Sequence, residues 1–189
     1  MIWIFGDSFV APKQDKKYEN DAEPWFTKFG ETTNFAVDGR GPKESFTDFL
    51  EHQFRIKEGD TVIFVLSSID RDFDYIDLDI KYYNHKTLGY LHLFHLRNNV
   101  KFFVMFKGRE DLQLVKLNIP EKDFFILPFS LSIVSHPDDF GDKAYVNHLS
   151  NKNHEVFGQL FYDWDNDAIG DKYDFETYET ERLNFIYDR

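Results

Sequence analysis

The sequence predicts an α/β fold, a five-stranded parallel sheet with helices packed on both faces. Three observations lead there. Five short apolar runs, rich in β-branched and aromatic residues, are bounded by polar punctuation and read as strands. Stretches with apolar residues at helical spacing lie between them. The strand runs are continuously apolar instead of alternating, as expected of strands covered on both faces, and that is the habit of parallel sheets.

The elements follow in order. Residues 1–5 form the first strand. Pro24 suits the first turn of a helix running to Phe29, and Gly30 stops it. The second strand covers 32–37. A helix over 44–56 sets Phe46, Phe49, Leu50 and Phe54 on one face. The third strand is 61–67. Residues 69–83 are acidic and aromatic, with Asp70, Asp72, Asp74, Asp77 and Asp79 among Phe73, Tyr75, Tyr82 and Tyr83, and the expectation is a segment overhanging the strand ends. A helix over 86–98 aligns Leu88, Leu91, Phe94 and His95, followed by strands at 100–106 and 124–129. The last helix, 151–164, groups Val156, Phe157, Leu160 and Phe161. Residues 1–164 are read as one domain, and 165–189 as an appended tail with eight acids, three bases and several aromatics. Five strands with crossover helices give a three-layer α/β/α, flavodoxin-like arrangement.

Composition narrows the function. A chain of 189 residues can build one full core, and its 22 Phe residues are read as filling it. The absence of cysteine excludes disulfides, thiolate catalysis and zinc–thiolate sites. A net charge of −12 repels polyanions and argues against nucleic acid and anionic membrane as partners. The first residues lack a basic segment and a long apolar run, so neither a signal peptide nor a transmembrane segment is expected.

In open parallel sheets ligands bind at the carboxyl ends of the strands. Four polar groups fall there or just before the last helix: Gly6-Asp7-Ser8, Asn34 through Gly39, Ser67-Ser68-Ile69-Asp70-Arg71, and His148-Leu149-Ser150. A Ser on a sharp turn after a strand can expose its hydroxyl, and its own N–H can donate to an oxyanion. Gly39 lets the backbone turn tightly and leaves its N–H unobstructed. Other polar clusters have plainer readings. His92 and His95 are three apart on a helix with no third metal ligand apparent, and the acidic run lacks the Gly and Glu of a calcium loop. No metal and no cofactor is expected.

The order of these groups resembles the SGNH (GDSL-type) hydrolases. Gly6-Asp7-Ser8 is similar to the first block of that family, Asn34–Gly39 to the second, residues 66–70 to the third, and His148-Leu149 to the fifth. The resemblance spans roughly residues 1–164. It implies Ser8 as nucleophile, His148 as base, and Gly39 with the Ser8 N–H as oxyanion donors. Two positions depart from the family. The third-block Asn is replaced by Ile69, with Ser67 in place of the glycine, and the Asp expected three residues before His148 is Tyr145. Asp142, three residues further back, is the candidate orienting acid. Asn34, Ser67, Ser68 and Arg71 complete the candidate oxyanion and binding set.

The resemblance implies an ester or acyl hydrolase acting on acyl esters or acetylated glycans. The rival expectation is a catalytically degraded SGNH-fold structural or binding module, such as a phage virion component, that assembles with another protein through the tail. The corresponding locations are the cytoplasm or a virion.

Overall fold

The computed structural model describes residues 1–7, 9–11, 25–67, 77–106, 122–127, 131 and 151–169. Its centre is a five-stranded, all-parallel sheet of β1 (Ile2–Phe5), β2 (Thr32–Asn34), β3 (Thr61–Leu66), β4 (Lys101–Phe106) and β5 (Phe124–Ile126). The spatial order is β2-β1-β3-β4-β5. β1 therefore pairs with β2 on one side and β3 on the other, and the direction of winding reverses there. This is the flavodoxin-like order expected of a three-layer α/β protein.

Strands β1, β3, β4 and β5 serve two cores because successive side chains point to opposite faces. From β1, Ile2 and Ile4 enter one cluster while Trp3 and Phe5 enter the other. On the first face Ile63, Val65, Phe103 and Met105 meet a 3-10 turn (Trp25–Phe29) and helix α3 (Asn151–Asp165). Trp25, fully buried, is ringed by Phe26, Phe103, Phe157 and Phe161 at centroid distances of 5.4–6.2 Å. On the second face Val62, Phe64, Phe102 and Val104 are covered by helix α1 (Pro42–His52), through Phe49, and by helix α2 (Asp77–Asn98), through Leu88 and Leu91. The Phe-rich composition is thus spent inside: Phe5, Phe49, Phe64, Phe102, Phe103, Phe106, Phe124, Phe157 and Phe161 are all buried. Burying one such side chain contributes about 1.5–3 kcal/mol.

Several boundaries differ from the sequence reading; the fifth strand, for one, ends at Ile126. The segment before Gly30 is a 3-10 turn, five residues being too few for a stable α-helix. β2 ends at Asn34, because the Asn34 side chain accepts the Ala36 N–H at 2.8 Å and bends the chain. The helix after it begins at Pro42, where Gly41 N–H donates to Glu44 Oε2 at 3.4 Å, and it ends at His52. A 3-10 turn (Gln53–Arg55) then swings Phe54 outward, so Phe54 is 80% exposed and Leu50 is also exposed, not on the buried face expected for them. Finally, α2 starts at Asp77, so the later part of the acidic–aromatic segment is helical instead of an overhang.

Among the described residues no helix is long and apolar enough to cross a membrane. Residues 165–169 stay on the domain: Lys101 Nζ donates to the Asp165 carbonyl at 2.8 Å, and Ile169 packs against the first cluster.

Candidate active site

The carboxyl ends of β1, β2 and β3 converge, and hydrogen bonds tie them together. At the end of β1, Gly6 has φ +152° and sits so close to β3 that a Cβ there would lie 2.7 Å from Val65 Cβ. Only glycine meets both conditions. Asp7 follows, fully buried. A buried carboxylate must be satisfied, and both oxygens are: Ser67 Oγ donates to Oδ2 at 2.8 Å and Phe9 N–H donates to Oδ1 at 3.2 Å. The Asp7 carbonyl accepts the N–H groups of Val10 and Ala11 at 3.1 and 2.9 Å, tying residues 10 and 11 back to Asp7.

β2 contributes the second loop. Beyond Asn34 its chain keeps touching β1, with Phe35 N–H on the Ile4 carbonyl and Val37 N–H on the Gly6 carbonyl. Asn34 braces this junction from the side. Its Nδ2 donates to the Val10 carbonyl at 2.7 Å while its Oδ1 holds the Ala36 N–H. Arg40 N–H then bonds to the Val37 carbonyl at 3.2 Å, with Gly39 at φ +81°. A third turn position with φ near +80° is the type II turn, which favours glycine there. Nothing lies within 4 Å of where a Gly39 Cβ would be, so this glycine faces open space. An ion pair from Arg40 to Asp48 on α1 anchors the loop.

The structure therefore joins three of the four predicted blocks. Asn34, Gly39 and Ser67 lie on neighbouring strand ends with Asp7 between them. Asn34 and Ser67 direct their polar atoms inward, onto Val10, Ala36 and Asp7, whereas Gly39 faces outward. Ser8, Ser68, Arg71, Asp142 and His148 lie outside the described residues. Sequence reasoning missed Arg40, which had no local signal because its partner Asp48 is set by the packing of α1.

The opposite end of the sheet carries a recess of about 330 Å³ lined by Met1, Ile2, Phe29, Glu31, Gly59, Thr61, Lys101 and Asp165. It lies at the amino ends of the strands, and its Lys101 is already engaged by Asp165. The rings of His92 and His95 stack 5.9 Å apart and both pack on Phe124. Among the described residues no group of three or more His, Asp or Glu could hold a metal ion.

No protein-family model and no curated protein matches the chain.

Proposed function

We propose that the protein is a serine ester or acyl hydrolase of SGNH type, with Ser8 as nucleophile and His148 as base. The observation that carries this reading is the buried Asp7–Ser67 junction at the point where a 2-1-3-4-5 sheet reverses its winding. Such reversal points are where open parallel sheets bind ligands. Ser8 follows Asp7 directly in the chain, and the outward-facing Gly39 turn lies on the adjacent strand end.

Ser8 Oγ attacks the carbonyl carbon of an ester or O-acetyl group, and His148 accepts its proton. Collapse of the tetrahedral intermediate breaks the carbon–oxygen bond to the alcohol, which leaves with the proton from His148. Water then cleaves the acyl-serine by the same route, releasing the acid and free Ser8. Backbone N–H groups of Ser8 and Gly39 stabilise the oxyanion. Acetylated glycans and short acyl esters are the proposed substrate class, and Asp142 is the proposed orienting acid for His148.

One observation favours the second reading, a structural or binding module that has lost catalysis. The third-block Asn is Ile69, and the Ser67 hydroxyl, which would be its nearest replacement, donates to Asp7. Loss of one oxyanion donor costs about a hundred- to a thousand-fold in rate. The two readings separate on p-nitrophenyl acetate and acetylated oligosaccharides. The enzyme reading expects turnover that falls by about a thousand-fold or more in Ser8→Ala and in His148→Ala. Folded wild-type protein no faster than Ser8→Ala supports the module.

A further inference from the structure

We propose that Asp7 and Ser67 form a latch that positions the nucleophile turn, and that neither contacts substrate. The consequence for catalysis rests on the esterase reading above.

A carboxylate and a hydroxyl, each with no exposed surface, meet at 2.8 Å across 60 positions of sequence. Burial of an ion is tolerated only where its oxygens are well partnered. Asp7 uses one oxygen for the Phe9 N–H inside its own turn and the other for Ser67 at the end of β3. One side chain thus ties both Phe9 and the end of β3 to the same point. Asn34 holds the far side of the same turn through the Val10 carbonyl. Asp7, Phe9 and Val10 are each pinned to a fixed point, and Ser8 lies between them in the sequence. The Ser67 hydroxyl is what the third-block glycine of the resembling family could not offer. Replacing that glycine by Ser67 thus adds a positioning contact, while the third-block Asn is still absent at Ile69. A side chain whose single O–H is spent on a buried carboxylate has no proton to give an oxyanion.

The test uses the full chain as wild type, Ser67→Ala, Asp7→Asn and the double variant, all at a temperature where circular dichroism shows them folded. Amide hydrogen exchange is read at Phe9, Val10 and Ala11 against Phe103 and Val104 in β4. Labelling of Ser8 by a fluorophosphonate is timed in parallel. The latch predicts that Ser67→Ala speeds exchange at residues 9–11 by about ten-fold or more with β4 unchanged, as loss of a hydrogen bond to a charged group requires. It also predicts that labelling slows by about ten- to a hundred-fold, and that the double variant is no worse than Asp7→Asn alone. Unchanged exchange at residues 9–11 in Ser67→Ala overturns the latch. So does selective loss of protection with an undiminished labelling rate. Selective loss of protection in a protein whose wild type never labels keeps the latch and sinks the esterase reading instead.

Discussion

Replacing Gly6 by Ala is the sharpest test of how the strand ends are assembled. The new Cβ would lie 2.7 Å from Val65 Cβ and 3.0 Å from Val10 Cγ2. Carbon atoms rest at about 3.5–4.0 Å, so the two strand ends must part by about 1 Å. Overpacking of this kind costs about 1–3 kcal/mol. Holding a residue with a Cβ at the observed φ of +152° adds a further cost of about 1–3 kcal/mol. The sum, about 2–6 kcal/mol, is a large part of the roughly 5–15 kcal/mol that stabilises a domain. Urea unfolding followed by tryptophan fluorescence reads it directly: with a slope of about 1–3 kcal/mol per molar, the midpoint should drop by about 0.7 M or more. Val65→Ala in the same background should restore little, because the nearest contact is Val65 Cβ, which alanine keeps. A loss below about 0.5 kcal/mol in Gly6→Ala would refute the close approach of β1 and β3 at the site.

Other outcomes follow from the same packing and electrostatics. Trp25→Ala removes the hub of the first core and should cost about 3–5 kcal/mol, read by the same unfolding assay. Burial, and then the neighbouring His95, hold the pKa of His92 below its ordinary value, and its Nε2 is buried without a hydrogen-bond partner among the described residues. The unfolded chain therefore binds a proton that the folded one resists, so stability should fall as pH drops below about 6.5. His92→Leu should flatten that slope in unfolding midpoints taken from pH 8 to pH 5, and an unchanged slope would exclude His92 as its source. Asp60 behaves in the opposite sense. Burial pushes its pKa up, but the Lys57 N–H, the Trp3 indole N–H and the amino terminus outweigh this and hold it below the usual carboxylate value. Its contribution is present above about pH 4 and is lost as the pH falls through its folded-state pKa. The stability gap between wild type and Asp60→Asn should accordingly be full at pH 6 and close below pH 4.

The sheet was legible because fully buried strands leave an unmistakable mark: 61–66 and 102–106 contain only apolar residues apart from Thr61. The four-residue periodicity of Val156, Phe157, Leu160 and Phe161 gave the last helix equally well. The start of α2 was not legible. Leu78, Ile80 and Tyr82 alternate with polar residues at a spacing of two, which imitates a strand or loop, yet these residues form the first turns of α2. The outward turn of Phe54 was hidden for a related reason, since the change from α to 3-10 geometry at His52 is not encoded by hydrophobic spacing. At the site, the types and order of Gly6, Asp7, Asn34, Gly39 and Ser67 were readable, but their roles were not. A hydroxyl that serves a buried carboxylate and one that serves a substrate look identical in sequence, and only the 2.8 Å contact assigns Ser67 to Asp7.

Covalent labelling tests most directly the proposed activation of Ser8, which follows Asp7 in the sequence. The folded wild-type chain is treated with a fluorophosphonate, and the adduct is mapped by peptide mass spectrometry. The account predicts one adduct, on Ser8, absent from Ser8→Ala and from His148→Ala. A folded wild-type protein that takes no label, or takes it on another serine, contradicts it.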